Sequence, residues 1–213
     1  MTTEPTKPKT KRRWLQFSLR TFFVLLTVFC VWLGWTVHRA NEQRKAVEWV
    51  REMGGLIDYD YEYDEDGNFL VDAEPYGPKW LVQLLGADYF QEVSGVDLHG
   101  TQVSDLTPLA KLTSLQYLYV WDTQVSDLTP LAGLQKLERL YVDATEVSDL
   151  TPLARLTTLR KLVLNDTQVS DLTPLATLTG LQELLLDNTQ VSEEQANNLR
   201  EALPNCCIDD LIP

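Results

Sequence analysis

Apolar positions in the second half of the chain follow two interleaved spacings. From Leu115 the order is Leu115-x-x-Leu118-x-Val120-x-x-Thr123-x-Val125. The Leu118-x-Val120 step has the alternation of a strand with one face buried. Further apolar positions at Val103, Leu106, Leu109 and Leu112 precede it, and a Thr-Pro pair stands at Thr107-Pro108. The pair recurs at Thr129-Pro130, Thr151-Pro152 and Thr173-Pro174. Thr is a helix N-cap residue, and Pro is tolerated at the first helical position. The pattern therefore predicts a short strand, a turn, and a short helical or 3₁₀ segment leading to the next strand.

This arrangement is copied almost verbatim. TQVSDLTPLAKLTSLQYLYVWD begins at Thr101, TQVSDLTPLAGLQKLERLYVDA at Thr123, TEVSDLTPLARLTTLRKLVLND at Thr145 and TQVSDLTPLATLTGLQELLLDN at Thr167, a period of 22 residues. A fifth copy opens with TQVS at Thr189 and diverges into EEQANNL. A degenerate earlier copy places Val93, Val96, Leu98, Thr101 and Val103 at the same positions. Fixed-period self-similarity predicts a solenoid in which each repeat packs on its neighbours and the ends need caps. Strands starting near Val93, Leu115, Leu137, Leu159 and Leu181 would make a sheet about 20 Å wide.

The stretch Leu115 to Val125 resembles the leucine-rich repeat signature LxxLxLxxNxL, in the bacterial, internalin-like class of 22-residue repeats. Thr123 stands at the usual Asn position, and Thr145, Thr167 and Thr189 repeat the replacement. A ladder of Thr hydroxyls would then serve where the family uses Asn. The resemblance covers residues 93–191. It implies an α/β fold: a leucine-rich repeat solenoid with a parallel concave sheet and short 3₁₀ or helical convex segments. It also implies protein binding at the concave side.

The amino end is different material. Residues 1–13 are polar, basic and Pro-containing, the composition of a disordered tail. From Thr21 to Val37 no residue is charged. Seventeen residues span about 26 Å as a helix, close to the hydrocarbon thickness of a bilayer. Arg20 and Arg39 can snorkel, and Trp14, Trp32 and Trp35 suit the interfaces. The following HisArgAlaAsn has no small-x-small cleavage pattern, which favours a retained anchor over a signal peptide. Twin-arginine and lipoprotein readings of Arg12-Arg13 and Cys30 fit poorly. Six basic residues before the span (Lys7, Lys9, Lys11, Arg12, Arg13, Arg20) exceed the four after it (Arg39, Arg44, Lys45, Arg51). By the positive-inside rule the amino end is cytoplasmic and the repeats lie outside the cytoplasm.

The expected organisation is a tail at 1–13, a transmembrane helix at 14–39, and a juxtamembrane helix and amino-terminal cap at 40–92. The repeats follow at 93–191, and a carboxy-terminal cap at 192–213. Within the first cap, Asn41 to Met53 reads as a helix ended by Gly54-Gly55. Ile57, Tyr59, Tyr61 and Tyr63 alternate with acids as a strand. A turn at Asp64 to Asn68, a return strand at Phe69-Leu70-Val71 and a short helix opened by Pro78 follow. The run through GPKWLVQLLGADYF also resembles the lead-in of bacterial membrane-anchored leucine-rich repeat proteins. At the far end Ser192-Glu193-Glu194-Gln195 is a capping box for a helix through about Leu203, stopped by Pro204, that would cover the last strand's edge.

Charge separates the two ends. Residues 1–45 carry net +7 and residues 46–213 net −20, within the total of −13. An acidic body offers no footprint for nucleic acid. Glu62-x-Asp64-x-Asp66-Gly67 resembles half a calcium loop, but Ala73 stands where the bidentate Glu belongs, which favours an acidic turn. Cys206-Cys207 read as two capping thiols rather than a strained vicinal disulfide. His38 and His99 are the chain's two histidines, and no phosphate loop, HExxH helix or nucleophile elbow occurs. No catalytic residue, metal or cofactor is expected.

The candidate site lies in the positions that vary between copies. One outward column reads Asp97, Tyr119, Tyr141, Val163, Leu185. Its neighbours read Gly95, Tyr117, Arg139, Lys161, Glu183 and His99, Trp121, Asp143, Asn165, Asp187. Exposed aromatics beside Arg mark binding hot spots. Tyr117, Tyr119, Trp121, Arg139, Tyr141, Lys161, Val163 and Leu185 are therefore the candidate protein-binding residues. The expected function is a membrane-anchored leucine-rich repeat module for protein–protein interaction. The alternative is an envelope scaffold or self-association module without a soluble ligand. Neither the partner nor the oligomeric state is encoded legibly.

Overall fold

The structure, a computed structural model, describes residues 19–62, 76, 77, 79, 80, 82 and 90–209. The chain divides into two compact parts, Met1–His38 and Arg39–Pro213. The expected turn at 64–68, the strand at 69–71, the calcium-like acids beyond Glu62 and Pro78 lie outside the described residues.

The first part contributes the beginning of helix α1 (Leu19–Glu52). Mean hydropathy in the candidate span Thr21–Glu52 reaches 1.8 over its best 18 residues, and this helix is long and apolar enough to cross a membrane. Phe22, Phe23, Val24, Phe29, Val31, Trp32 and Trp35 are all exposed. The polar side chains within the apolar stretch satisfy themselves. Thr27 Oγ1 donates to the Phe23 and Val24 carbonyls, and Thr36 Oγ1 to that of Trp32. Such back-bonding lets hydroxyls sit in an apolar medium without an unpaired donor.

In the second part α1 buries Ala40, Ala46, Val47 and Val50, one stripe at helical spacing. The helix expected over 41–53 is thus the end of α1, because nothing between Val37 and Asn41 breaks helical geometry. Its end is a Schellman motif. Gly55 N donates to Val50 O and Gly54 N to Arg51 O, with Gly54 at φ +83. A ring of polar contacts ties α1 to the first repeats. Gln43 Nε2 donates to Gln91 O at 2.7 Å, and Arg39 reaches Glu92 at 2.7 Å and Ser114 at 3.1 Å.

Seven strands form one sheet in chain order. β1 (Leu56–Tyr59) pairs antiparallel with β2 (Val93–Asp97). β3 (Tyr117–Tyr119), β4 (Arg139–Tyr141), β5 (Lys161–Val163) and β6 (Glu183–Leu185) continue in parallel. β7 (Cys207–Asp209) pairs in parallel with β6. The expected five strands are present, and the sheet gains one at each end. The alternation from Ile57 to Tyr63 stops at Tyr59, where a 3₁₀ turn (Asp60–Glu62) begins. That turn is fixed by Glu62 Oε2 accepting the Tyr59 amide and by reciprocal bonds between Asp60 and Glu92.

The 3₁₀ turns on the other side are Thr107–Lys111, Thr129–Gly133, Thr151–Leu153 and Thr173–Thr177. Their caps differ from expectation. No Thr side chain caps; the acceptor is Asp Oδ1 two residues earlier, Asp105, Asp127, Asp149 and Asp171, each 2.8 Å from the Thr amide. Hydrogen bonds from the Thr side chain and amide hold each of these carboxyls below its ordinary value. Between sheet and turns, Leu118, Leu131, Leu140, Leu153, Leu162, Leu175 and Leu184 are fully buried in one continuous core.

The Thr hydroxyls make the same bond at each step of the stack. Thr123, Thr145 and Thr167 are buried, and each hydroxyl donates to the strand carbonyl three residues back along the chain: Val120 at 2.6 Å, Val142 at 2.5 Å, Leu164 at 2.6 Å. Neighbouring repeats join there through backbone instead, as in Gln124 N to Val103 O. A hydroxyl reaches three residues back along its own chain but carries one proton, so it cannot also donate to the next repeat.

At the far end Ser192 caps α2 (Glu193–Ala202) by accepting the Gln195 amide. The Gln195 side chain does not complete the capping box. Its Oε1 accepts the Leu172 amide at 3.2 Å, joining α2 to the preceding 3₁₀ turn. The edge of β6 is closed by β7 rather than by this helix. A strand supplies the donors and acceptors that an edge leaves open; a helix, internally paired, has none to give.

Candidate functional site

The parallel register aligns the varying positions into the expected columns. Gly95, Tyr117, Arg139, Lys161 and Glu183 are consecutive partners, as are Asp97, Tyr119, Tyr141, Val163 and Leu185. Alternation turns these residues away from the Leu core, onto the concave face. A period equal to the repeat length is what stacks them, because each strand starts at the same point of its repeat.

Aromatic contacts run across the strands. Tyr119 and Tyr141 stack with centroids 4.8 Å apart, and His99 stacks on Trp121 at 4.5 Å. His99 Nδ1 lies 2.7 Å from Asp97 Oδ1, which holds the imidazole in place. Arg139 sits over the Tyr117 ring at 5.2 Å and Lys161 over Tyr141 at 5.7 Å. Lys161 also pairs with Glu183 at 2.7 Å. The Glu183 hydrogen bond raises the Lys161 ammonium further above its ordinary value. Burial, then Tyr141, raises the Tyr119 phenol.

Of the eight candidate residues, Trp121 and Arg139 are exposed, Tyr117, Tyr119, Tyr141, Lys161 and Leu185 half-buried, and Val163 buried. Val163 therefore supports its neighbours rather than offering area. The structure adds Asp97, Asp143 and Glu183 to the site. Asp143 is half-buried and its Oδ1 has no hydrogen-bond partner; burial raises its carboxyl above the ordinary value. These acids were visible in the columns, but their role depends on contacts across repeats.

The remaining features lie elsewhere. A cavity of about 140 Å³ between α2 and the last 3₁₀ turn is lined by Leu172, Ala176, Gln195 and Leu199 among others. Cys206 and Cys207 are free thiols; burial, then the neighbouring Cys207 and Glu183, push Cys206 up to about 11. That disfavours the thiolate needed for reactivity. Among the described residues no group of three His, Cys, Asp or Glu side chains could hold a metal ion.

No family model and no curated protein matches the chain. Solved structures do. An internalin C2 of Listeria monocytogenes is 32% identical over 59% of this chain and 67% of its own, with a TM-score of 0.46. A second internalin of that organism, inlF, is 26% identical over 55% of this chain and 43% of its own, with a TM-score of 0.43. A leucine-rich repeat protein of Leptospira interrogans is 20% identical over 63% of this chain and 40% of its own, with a TM-score of 0.46. The chain spans less than half the length of the last two. The stronger warrant is internal: each Leu-x-x-Leu-x-Leu/Val strand pairs in parallel with the next copy of itself and returns through a 3₁₀ turn over a shared leucine core. The chain is a leucine-rich repeat protein.

Proposed function

We propose that this chain is a membrane-anchored leucine-rich repeat module that binds a protein partner through the concave face of its sheet. The observation that carries the reading is the concentration of varied, aromatic and cationic side chains on that one face. Tyr117, Tyr119, Trp121, Arg139 and Tyr141 lie on two adjacent strands and their exits. The convex 3₁₀ turns, by contrast, repeat Thr-Pro-Leu-Ala without change. Interfaces are enriched in Tyr, Trp and Arg because these residues bring large area and directed bonds at low entropic cost. The aromatic stacks and cation–π contacts fix those side chains before a partner arrives, which reduces the ordering cost of binding.

The anchor is the apolar stretch of α1, and the repeats lie outside the cytoplasm. The basic count around the span and the self-satisfied Thr27 and Thr36 hydroxyls support this arrangement. The domain boundaries follow: tail 1–13, anchor 14–39, amino-terminal cap 40–92, repeats 93–191, carboxy-terminal cap 192–213.

Partner capture by the full chain, compared with a Tyr119→Ala, Trp121→Ala double variant, tests the reading. Capture should fall at least tenfold, the cost of losing two hot-spot aromatics. Equal capture would refute the concave face as the site. Protease treatment of intact cells tests the orientation: cleavage of the repeats is expected, and protection would overturn it.

A further inference from the structure

Charge in the repeats is sorted by position within the 22 residues. All six Lys and Arg residues of 93–191 lie between a 3₁₀ turn and the middle of the following strand. Ten of the twelve acids of the same stretch lie after it, between the end of a strand and the next 3₁₀ turn. Stacking in register turns this local order into two long bands. The concave face inherits both. Arg139 and Lys161 occupy the side from which the strands start, with Glu183 paired to Lys161, and Asp143 and Asp187 the side where they end, while Asp97 heads the central column. Between the bands runs the less polar column of Tyr119, Tyr141 and Leu185. Arg139 has its guanidinium over the Tyr117 ring and makes no ion pair among the described residues.

We propose that the occupant of this face is an amphipathic α-helix of a partner protein, lying along the stacking axis. Its apolar stripe rests on the Tyr119–Leu185 column, its acidic flank meets Arg139 and Lys161, and its basic flank meets Asp143 and Asp187. This inference rests on the concave-face reading above and specifies the chemistry of its partner.

Dimensions and bonding select a helix. From Tyr119 to Leu185 is three strand spacings, about 14 Å, the length of about ten helical residues. From Tyr117 to Trp121 along a strand is about 13 Å, close to the 10–12 Å diameter of a helix with its side chains. A segment crossing the strands on their side-chain face finds no backbone groups to pair with. An extended peptide would leave its own amides unmatched there, whereas a helix satisfies them internally. A second copy of this chain fits less well. Two such faces would cover about 180 Å² each, against about 800 Å² per partner in a stable specific interface. The charge bands then explain specificity: each flank of the helix is attracted by one band, and a helix with one sign of charge on both flanks is repelled by the other.

The test uses four fluorescent 16-residue synthetic helices with the same leucine stripe. One has Glu on one flank and Lys on the other, one Glu on both, one Lys on both, and one is the mixed helix with a central Pro. Anisotropy is measured with the full chain in lipid nanodiscs against empty nanodiscs. The mixed helix should bind about tenfold tighter than either single-sign helix, and the Pro-containing one should lose binding. Arg139→Glu with Lys161→Glu should transfer the preference to the helix with Lys on both flanks. Tightest binding by the all-Lys helix to the unaltered chain, still lost in Tyr141→Ala, would overturn the mixed-charge partner and leave the concave face standing. Equal binding of the Pro-containing peptide would overturn the helix. Binding of every probe unchanged by Tyr119→Ala plus Tyr141→Ala would overturn both the partner and the face.

Discussion

Each repeat has two halves that differ in what they tolerate. The half written TQVSDLTPLA is nearly unchanged from copy to copy, and the following twelve residues vary. Both halves bury leucines: Leu131 and Leu153 from the first, Leu140 and Leu162 from the second. They differ in what the remaining positions do. In the first half the recurring Asp and Thr have local backbone tasks, while Gln124 Nε2 donates to Gln102 Oε1 of the preceding copy. Asp caps the 3₁₀ turn, and Thr123, Thr145 and Thr167 bind the strand carbonyl three residues back. In the second half the concave aromatic and charged residues touch one another across repeats, and Thr158 and Arg160 also bond backbone carbonyls of neighbouring copies. Invariance follows the Asp caps and Thr bonds, and on the concave face variation is allowed where a side chain faces solvent, a neighbour's side chain or a partner.

That contrast can be broken most forcefully in the core. Leu131→Ala and Leu140→Ala should each cost about 3 kcal/mol in urea unfolding, with no difference between the halves. A large asymmetry would mean that one half carries the fold. Next in size are the threonines. Thr123→Val and Thr145→Val should each cost about 1–2 kcal/mol, because each leaves a strand carbonyl without its donor. Since each hydroxyl bonds only the carbonyl three residues before it, the double variant should show a coupling below about 0.5 kcal/mol. A larger coupling would mean that the hydroxyls act across copies. A gain is expected at Ala144. It sits at φ +52 beside Asp122, Asp166 and Asn188 in the same left-handed conformation, and only Gly enters that region freely. Ala144→Gly should raise stability by up to about 1 kcal/mol, measured by the same titration.

The smallest effect is one of pH, at the junction of α1 with the first repeats. Burial alone would raise Glu92. Hydrogen bonds from Ser114 and Arg39, with the charges of Arg39 and Lys136, instead hold its carboxyl below its ordinary 4.5. A carboxyl depressed in the folded state adds stability above 4.5, and this is lost as pH falls through the lower folded value. The pair is solvent-screened, so Glu92→Gln should remove under about 1 kcal/mol at pH 7 and flatten that acid loss. An unchanged acid profile would show that Glu92 contributes nothing.

What was legible in the sequence was whatever the period wrote several times. Strand positions, the leucine core and the concave columns came from copies that confirm one another. Some features written once were read, such as the helix capped by Ser192, and others were missed. Cys207-Ile208-Asp209 is too short and unpatterned to announce a strand; β7 forms because β6 would otherwise keep an open edge. The merging of the 41–53 helix into α1 was hidden by reading the anchor and cap as separate elements. The Asp caps and the Thr bonds were present in every copy, yet the spacing alone did not say which oxygen bonds which amide. At the candidate site the columns showed who the neighbours are. Only the structure showed that Arg139 lies over Tyr117 and that Val163 is buried.

Site-specific photo-crosslinking in living cells tests the division between the two halves most directly. A photoreactive residue is placed at Tyr119 on the concave face, or at Ala132 on an exposed 3₁₀ turn, in the full chain. A discrete protein adduct at Tyr119, absent at Ala132 and lost when Arg139→Glu is added, is the expected result. Equal adducts at both positions, or an adduct at Ala132 alone, would contradict binding through the varied concave face.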